Sequence, residues 1–382
     1  MTYKQPWSKK HKKVTGGLKY SFSNSFSEPL TCEELTTYAQ ARGDEALVNE
    51  YHQHSLEYTP NGGSLDLREA VANLYGPKIG ADHILIFAGG QVALQTAAYA
   101  VVEKDSHSIV FTPGYQSVLQ APEHAHGKVT KIRLSAENQW QIDPADVGKA
   151  IKNNTRYIVL NEPYNPAGTV MQPAVQQALV ELAREHNITI LCDEAYRLLE
   201  HDVRDRLPPM ADAYENGISA CTMSKPWGAC GVTIGWLALQ DMTLKQKLID
   251  IQYFGTACPS RASELQAIMT LRASDSILAR NLQIVRKNLI LLDQFIDNYQ
   301  DFFEWVRPTA STVAFVRFKG PLSSDELGEK LALEGISIKP AYCFTDDASE
   351  YSDYFRIGFG EKKMPIRLEA LTNFVEKHKA DW

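Results

Sequence analysis

The chain has 382 residues, 44% hydrophobic and 22% charged, the balance of a soluble globular protein with two domains or one large domain and a smaller partner. Its net charge of −7 argues against nucleic acid as the main partner. No apolar run approaches the roughly 18 residues of a membrane span, and six cysteines without a Cys-x-x-Cys pair are expected as reduced thiols of a cytoplasmic protein.

The first segment, Met1 to Lys13, carries five lysines and no acid, and lacks the apolar core of a secretion signal. It reads as a mobile, solvated tail, with a targeting or docking segment as the alternative. Further on, short β-rich runs alternate with helical patterns. Strands are predicted over His83–Phe87, Ser108–Thr112, Arg156–Leu160, Ile188–Cys192, Ile218–Met223 and Thr233–Leu239, with helices such as Gln91–Val102 and Pro173–His186 between them. Strand–helix–strand repetition implies right-handed crossovers, hence an α/β protein with a mostly parallel sheet covered by helices on both faces. Several of the strands are almost wholly apolar, as strands buried on both faces are.

After about residue 284 the pattern changes. A helical stretch, Leu289–Tyr299, precedes an extended run, Thr312–Phe318. Then come Ser324–Glu334, Ile336–Ile338, Phe355–Gly358 and a last helix from Met364 to Lys379. The expected organisation is an N-terminal arm over 1–45 that packs with the small domain, a large domain over 46–284 and a small α+β domain over 285–382. The close histidine pairs, His52 with His54 and His124 with His126, lack carboxylates or cysteines at ligand spacing, so no metal site is expected.

Five motifs punctuate the strand ends. Ala88-Gly89-Gly90-Gln91 is either a tight turn or an anion cradle, because glycines let the backbone approach and the following helix offers free amides. Tyr115, in Pro113-Gly114-Tyr115, is a packed loop residue or a stacking aromatic. Asn165, in Asn161–Gly168, makes an Asx turn or donates to a phenolate oxygen. Asp193 follows an apolar strand, where it caps a helix or meets a ligand at the sheet's carboxyl edge, and Tyr196 shares its face if the chain turns helical. Lys225, in Thr222-Met223-Ser224-Lys225-Pro226, is flanked by hydroxyls that can donate to a phosphate. Together the motifs supply an amine, a carboxylate for a pyridinium and an anion cradle, the needs of a pyridoxal phosphate site.

In this order the motifs resemble fold-type I pyridoxal-phosphate enzymes of the aminotransferase class I/II superfamily, from about Tyr58 to Arg356. The resemblance implies a three-layer α/β/α large domain and a homodimer with shared active sites. It implies Lys225 as the Schiff-base lysine and carrier of the Cα proton, Asp193 at the pyridine nitrogen, and Asn165 and Tyr196 at the ring hydroxyl. Tyr115 is then the stacking aromatic, and Gly90, Gln91, Thr222 and Ser224 the phosphate contacts. Arg356 would hold the substrate carboxylate, its planar fork matching a bidentate salt bridge. Tyr58 would reach the phosphate of a neighbouring subunit. The family usually has an arginine eight residues after the lysine; here Thr233 stands there, so the phosphate loses a charge-assisted contact of about 1.5–3 kcal/mol.

The surroundings of Lys225 and Thr233 are similar to the capreomycidine-synthase-like branch, whose members cyclise hydroxylated arginine, giving capreomycidine- or enduracididine-type products. That implies dehydration and ring closure on a hydroxylated arginine, with transamination of an L-amino acid to a 2-oxo acid as the alternative. Cyclisation needs an acid for the guanidinium. Glu28, in Ser25-Phe26-Ser27-Glu28-Pro29, is the candidate, or else a plain surface glutamate.

Overall fold

The computed structural model describes residues 5–382. A seven-stranded sheet forms the centre: β1 (Ile84–Phe87), β2 (His107–Thr112), β3 (Lys128–Arg133), β4 (Thr155–Asn161), β5 (Thr189–Asp193), β6 (Gly217–Thr222) and β7 (Gly235–Leu239). Their order across the sheet is β1-β7-β6-β5-β4-β2-β3. All neighbours from β6 to β3 pair in parallel, and β7 runs against both β6 and β1. Every residue of β1, β2 and β7 is buried; β1 and β7 carry no charged or hydroxyl side chains, while β2 buries His107, Ser108 and Thr112, with His107 held by Thr155 and Thr130. The chain is therefore α/β with a mostly parallel sheet, as expected.

The helices follow equally local causes. Gly90–Val101 buries Ala93, Leu94, Ala97 and Ala98 against the sheet. Pro173 opens Pro173–Glu185 at a position that donates no helical hydrogen bond anyway. Strand β3 escaped the sequence reading. It is one of the two edge strands, with Lys128 and Arg133 exposed and its middle only half-buried, so it lacks an apolar signature.

A second, antiparallel sheet holds β8 (Phe303–Trp305), β9 (Val313–Phe318), β10 (Lys339–Pro340) and β11 (Tyr354–Gly358) in the order β10-β11-β9-β8. One helix, Ser274–Asn298, runs unbroken through residue 284. The N-terminal segment joins this region. Tyr20 and Ser21 pair in parallel with Ile336 and Ser337, and Gly358 N donates to Phe22 O at 2.7 Å.

The basic tail departs from the mobile reading over its described part; Met1–Lys4 lie outside the described residues. Ser8–Thr15 is a helix with His11 buried, and His11 Nε2 lies 3.0 Å from Ser23 Oγ. Lys10 pairs with Asp325, and Trp7 N donates to Gln116 Oε1 at 2.7 Å. One buried face and these contacts dock the segment despite its charge. Among the described residues, no helix is long and apolar enough to cross a membrane.

Candidate active site

The carboxyl ends of β1, β2, β4, β5 and β6 share one edge of the central sheet, with the start of β7 between them. A cavity of about 450 Å³ lies there, a size suited to a small-molecule ligand. Open α/β sheets bind ligands at this edge because loops and helix N-termini converge on it.

After β1 the chain turns through Gly89, whose φ of +102° only glycine adopts freely, into the twelve-residue helix Gly90–Val101. Added carbons would close this turn. A Cβ on Gly90 would sit 3.2 Å from Thr222 Cβ, and one on Gly235 only 2.5 Å from Gly90 N. The turn thus brings amides and a helix N-terminus beside the hydroxyls of Thr222 and Ser224, themselves 3.1 Å apart. Thr233, in left-handed backbone with φ +55°, faces the same turn: a Cβ on Gly89 would lie 3.6 Å from its Cγ2. Its hydroxyl donates to Gly231 O at 3.3 Å. The turn and its three hydroxyls form an uncharged concavity of a kind that suits an anion.

At the centre stand Asp193 and Lys225. Asp193 closes β5 and is 7% exposed; its Oδ1 accepts from Ala195 N at 3.2 Å. Burial pushes its carboxyl up to about 7, against the pull of the Ala195 amide and the Lys225 charge. Such a carboxyl needs a cationic donor to stay ionised. The next residue, Glu194, is also buried but turns away, accepting from Met210 N and Ser219 Oγ, both at 2.7 Å.

Lys225 Nζ donates to Ser25 Oγ at 2.9 Å. Burial lowers its ammonium to about 8, with Arg356 adding to the effect and Cys230 and Asp193 opposing it. The same Ser25 hydroxyl hydrogen-bonds Tyr196, whose buried phenol is raised in pKa by desolvation. Tyr115 lines the cavity too, with its hydroxyl held by the Gln91 amide.

Arg356 enters from β11 and is 2% exposed. It donates to Asn165 Oδ1 at 3.0 Å and to Ser23 O at 2.9 Å, while its buried Nε has no partner. Phe344 lies under the guanidinium, 5.0 Å from ring centre to Cζ. Among the described residues no carboxylate pairs with this cation. A buried guanidinium with neutral partners and one free donor suits an incoming carboxylate.

Eleven residues singled out in the sequence line this one cavity: Gly90, Gln91, Tyr115, Asn165, Asp193 and Tyr196 from the earlier strands, and Thr222, Ser224, Lys225, Thr233 and Arg356 from the later segments. The structure does not bring in the other two. Glu28 lies outside, because its Oε2 accepts from Lys362 N at 2.7 Å and is thereby turned away. Tyr58 is 96% exposed beside a separate cleft that Arg261 and Glu50 also line. Ser25, Cys230 and Lys339 line the cavity and were not anticipated. Ser25 and Lys339 come from the flanking segments, and no local motif marks them. Only the step from Ser25 to the proposed Glu28, three residues along one loop, carried a hint.

These residues fit pyridoxal phosphate. The buried carboxyl suits a ring cation, the depressed lysine an aldehyde carbon, and the Gly89–Gln91 turn a phosphate. The comparisons agree. The pattern of the family described as aminotransferase class I and II matches residues 28–370. A probable aspartate aminotransferase of Methanocaldococcus jannaschii is 24% identical over 316 residues, 80% of this chain and 82% of its own. Capreomycidine synthase of Streptomyces vinaceus is 27% identical over 332 residues, 85% of this chain and 82% of its own. Among solved structures, a PLP-dependent aminotransferase from Streptococcus suis superposes with a TM-score of 0.91 at 26% identity, covering 99% of both chains. The PLP-dependent cyclase OrfR shares the fold, with a TM-score of 0.87 at 21% identity over 99% of this chain and 98% of its own.

Proposed function

This chain belongs to the aminotransferase class I and II family and is a pyridoxal-phosphate-dependent enzyme, and from that premise we propose that it transaminates an L-α-amino acid. When bound, the cofactor supplies an electron sink for charge developing at the substrate Cα. In this reading the protein does the rest. The Gly89–Gln91 turn, Thr222, Ser224 and Thr233 hold the phosphate. Asp193 keeps the ring nitrogen protonated, Asn165 and Tyr196 hold the ring hydroxyl, and Tyr115 packs on the ring.

Arg356 takes the substrate α-carboxylate on its free Nε side, which fixes Cα in front of Lys225. Lys225 Nζ then takes the Cα proton and returns it to another carbon. An ammonium lowered to about 8 releases its proton readily, so the neutral amine is available near neutral pH. Ser25 Oγ, 2.9 Å from Nζ, steadies the amine between the two positions.

The observation that carries transamination over cyclisation is the charge of the cavity. Among its lining residues, Lys225 apart, the basic side chains are Lys339 and Arg356, and the one carboxylate is Asp193, which the cofactor claims. A guanidinium side chain would meet like charge and no acid. Dehydrative cyclisation of a hydroxylated arginine is the second reading, supported by the similarity to capreomycidine synthase and by Thr233 in place of the family arginine.

A homodimer with shared sites also belongs to the proposal. Leu56, Tyr58 and Phe254 are 95%, 96% and 89% exposed, a heavy apolar display for a surface in water, and Tyr58 would serve the neighbouring phosphate. The test is product analysis by mass. The holoenzyme is given acidic, neutral, aromatic and basic amino acids and γ-hydroxyarginine. Release of a 2-oxo acid with the amino nitrogen left on the enzyme supports transamination. Water loss from γ-hydroxyarginine without nitrogen loss overturns it in favour of ring closure.

A further inference from the structure

Lys339 and Arg356 face each other directly across the β10–β11 pair, and both line the cavity. Like charges directly opposite in an antiparallel pair destabilise a sheet. Arg356 has the neutral acceptors Asn165 and Ser23 and the phenols of Tyr196 and Tyr115 near it, but no carboxylate. The ionisable groups acting on Lys339 are Arg356, Lys225, Lys12 and the Cys343 thiol. His11 is also close enough to be depressed by Lys339 and Arg356. No carboxylate stands among these, and no carboxylate of the described residues forms an ion pair with either cation.

One anion accounts for one of the two cations. In the reading above, the α-carboxylate goes to Arg356, whose Nε has no partner. Lys339, on the strand alongside, lines the same cavity and has no ion-pair partner among the described residues. We propose that Lys339 is a specificity-determining residue that receives an anionic group on the substrate side chain, so that the preferred substrates are amino acids with an acidic side chain. This rests on the transamination reading for the placement of the α-carboxylate.

The titration of Lys339 agrees with this use. Burial, with Arg356 next in size, lowers its ammonium to about 7. The empty site can therefore shed one of two opposed charges, and an arriving anion restores it. A permanently charged second arginine would lack that relief.

The test is calorimetric binding of succinate and of butanoate to the holoenzyme, which requires no turnover. The two ligands share one carboxylate and differ in the second. The wild-type protein should bind succinate at least about tenfold more tightly, the scale of one charge-assisted contact. Lys339→Met should abolish that preference and leave butanoate within about twofold, and Lys339→Arg should retain it. Equal affinities in the wild type overturn the proposal, and this comparison stands even if a variant fails to fold. Equal losses for both ligands in Lys339→Met also overturn it, since Lys339 would then be helping Arg356 hold the α-carboxylate. The two readings fail separately. A preference for neutral amino acids that is indifferent to Lys339 sinks this proposal and leaves transamination standing. Succinate binding through Lys339, in an enzyme that forms no 2-oxo acid, does the reverse.

Discussion

Replacing Asp193 by Asn should stabilise the cofactor-free protein and cripple the loaded one. In the folded chain burial raises this carboxyl from 3.8 to about 7. The direction is opposite to the usual depressed carboxylate, so the sign reverses. Below the unfolded value both states hold the proton and Asp193 contributes nothing. As pH rises past 3.8 the unfolded chain loses its proton first, and stability falls until about pH 7. Each pH unit in that interval is worth about 1.4 kcal/mol, so the full cost is about 4 kcal/mol.

Asn keeps the side-chain oxygen that accepts from Ala195 N and removes the charge. The cofactor-free variant should therefore exceed the wild type by about 2 kcal/mol at pH 5 and about 4 kcal/mol at pH 8. Urea denaturation of both proteins at both pH values measures this. With cofactor bound, the variant lacks the anion that keeps the ring protonated. Loss of one partner of a buried pair costs about 3–5 kcal/mol, so turnover should drop by at least about 100-fold. A stability gap that does not widen between pH 5 and pH 8, or near-normal turnover, refutes the reasoning.

Arg356→Lys keeps a charge but loses the planar fork and the bonds to Asn165 and Ser23. KM for amino acids should rise by about 10–100-fold, with a smaller change in kcat, in steady-state assays; an unchanged KM removes Arg356 from substrate binding. Thr233→Arg adds a cation beside the Gly89 turn, at a position already left-handed and exposed. Cofactor release during dialysis against phosphate should slow by about 10–100-fold, and unchanged retention means that another group already neutralises the phosphate.

Much of this site is legible in the sequence because it lies at strand ends. The apolar runs before Gly89, Asp193 and Lys225 mark buried strands, and residues just beyond them share the sheet's carboxyl edge by topology alone. Arg356 is legible by family resemblance, since only tertiary packing of β11 carries it into the cavity. Ser25 and Lys339 are not legible. Ser25 reaches Lys225 from 200 residues away, through the pairing of residues 20–22 with 336–337. Lys339 sits in a two-residue strand with no periodicity to read. Charge misleads at both ends of the N-terminal segment. Its lysines suggest a free tail, yet buried His11 and polar contacts dock it, and Glu28 looks available to substrate until Lys362 N claims it. In the same way the helix Ser274–Asn298 looks shorter in sequence, because its first turns bury polar Ser274 and Asn281 along with Ile277.

Two half-buried lysines, Lys225 and Lys339, line one cavity with lowered pKa values of about 8 and about 7. Only one can carry the cofactor. Borohydride reduction of the holoenzyme followed by peptide mapping decides between them. The account predicts the cofactor mass on the peptide containing Lys225 and an unmodified Lys339. Cofactor on Lys339, or on neither lysine, contradicts it.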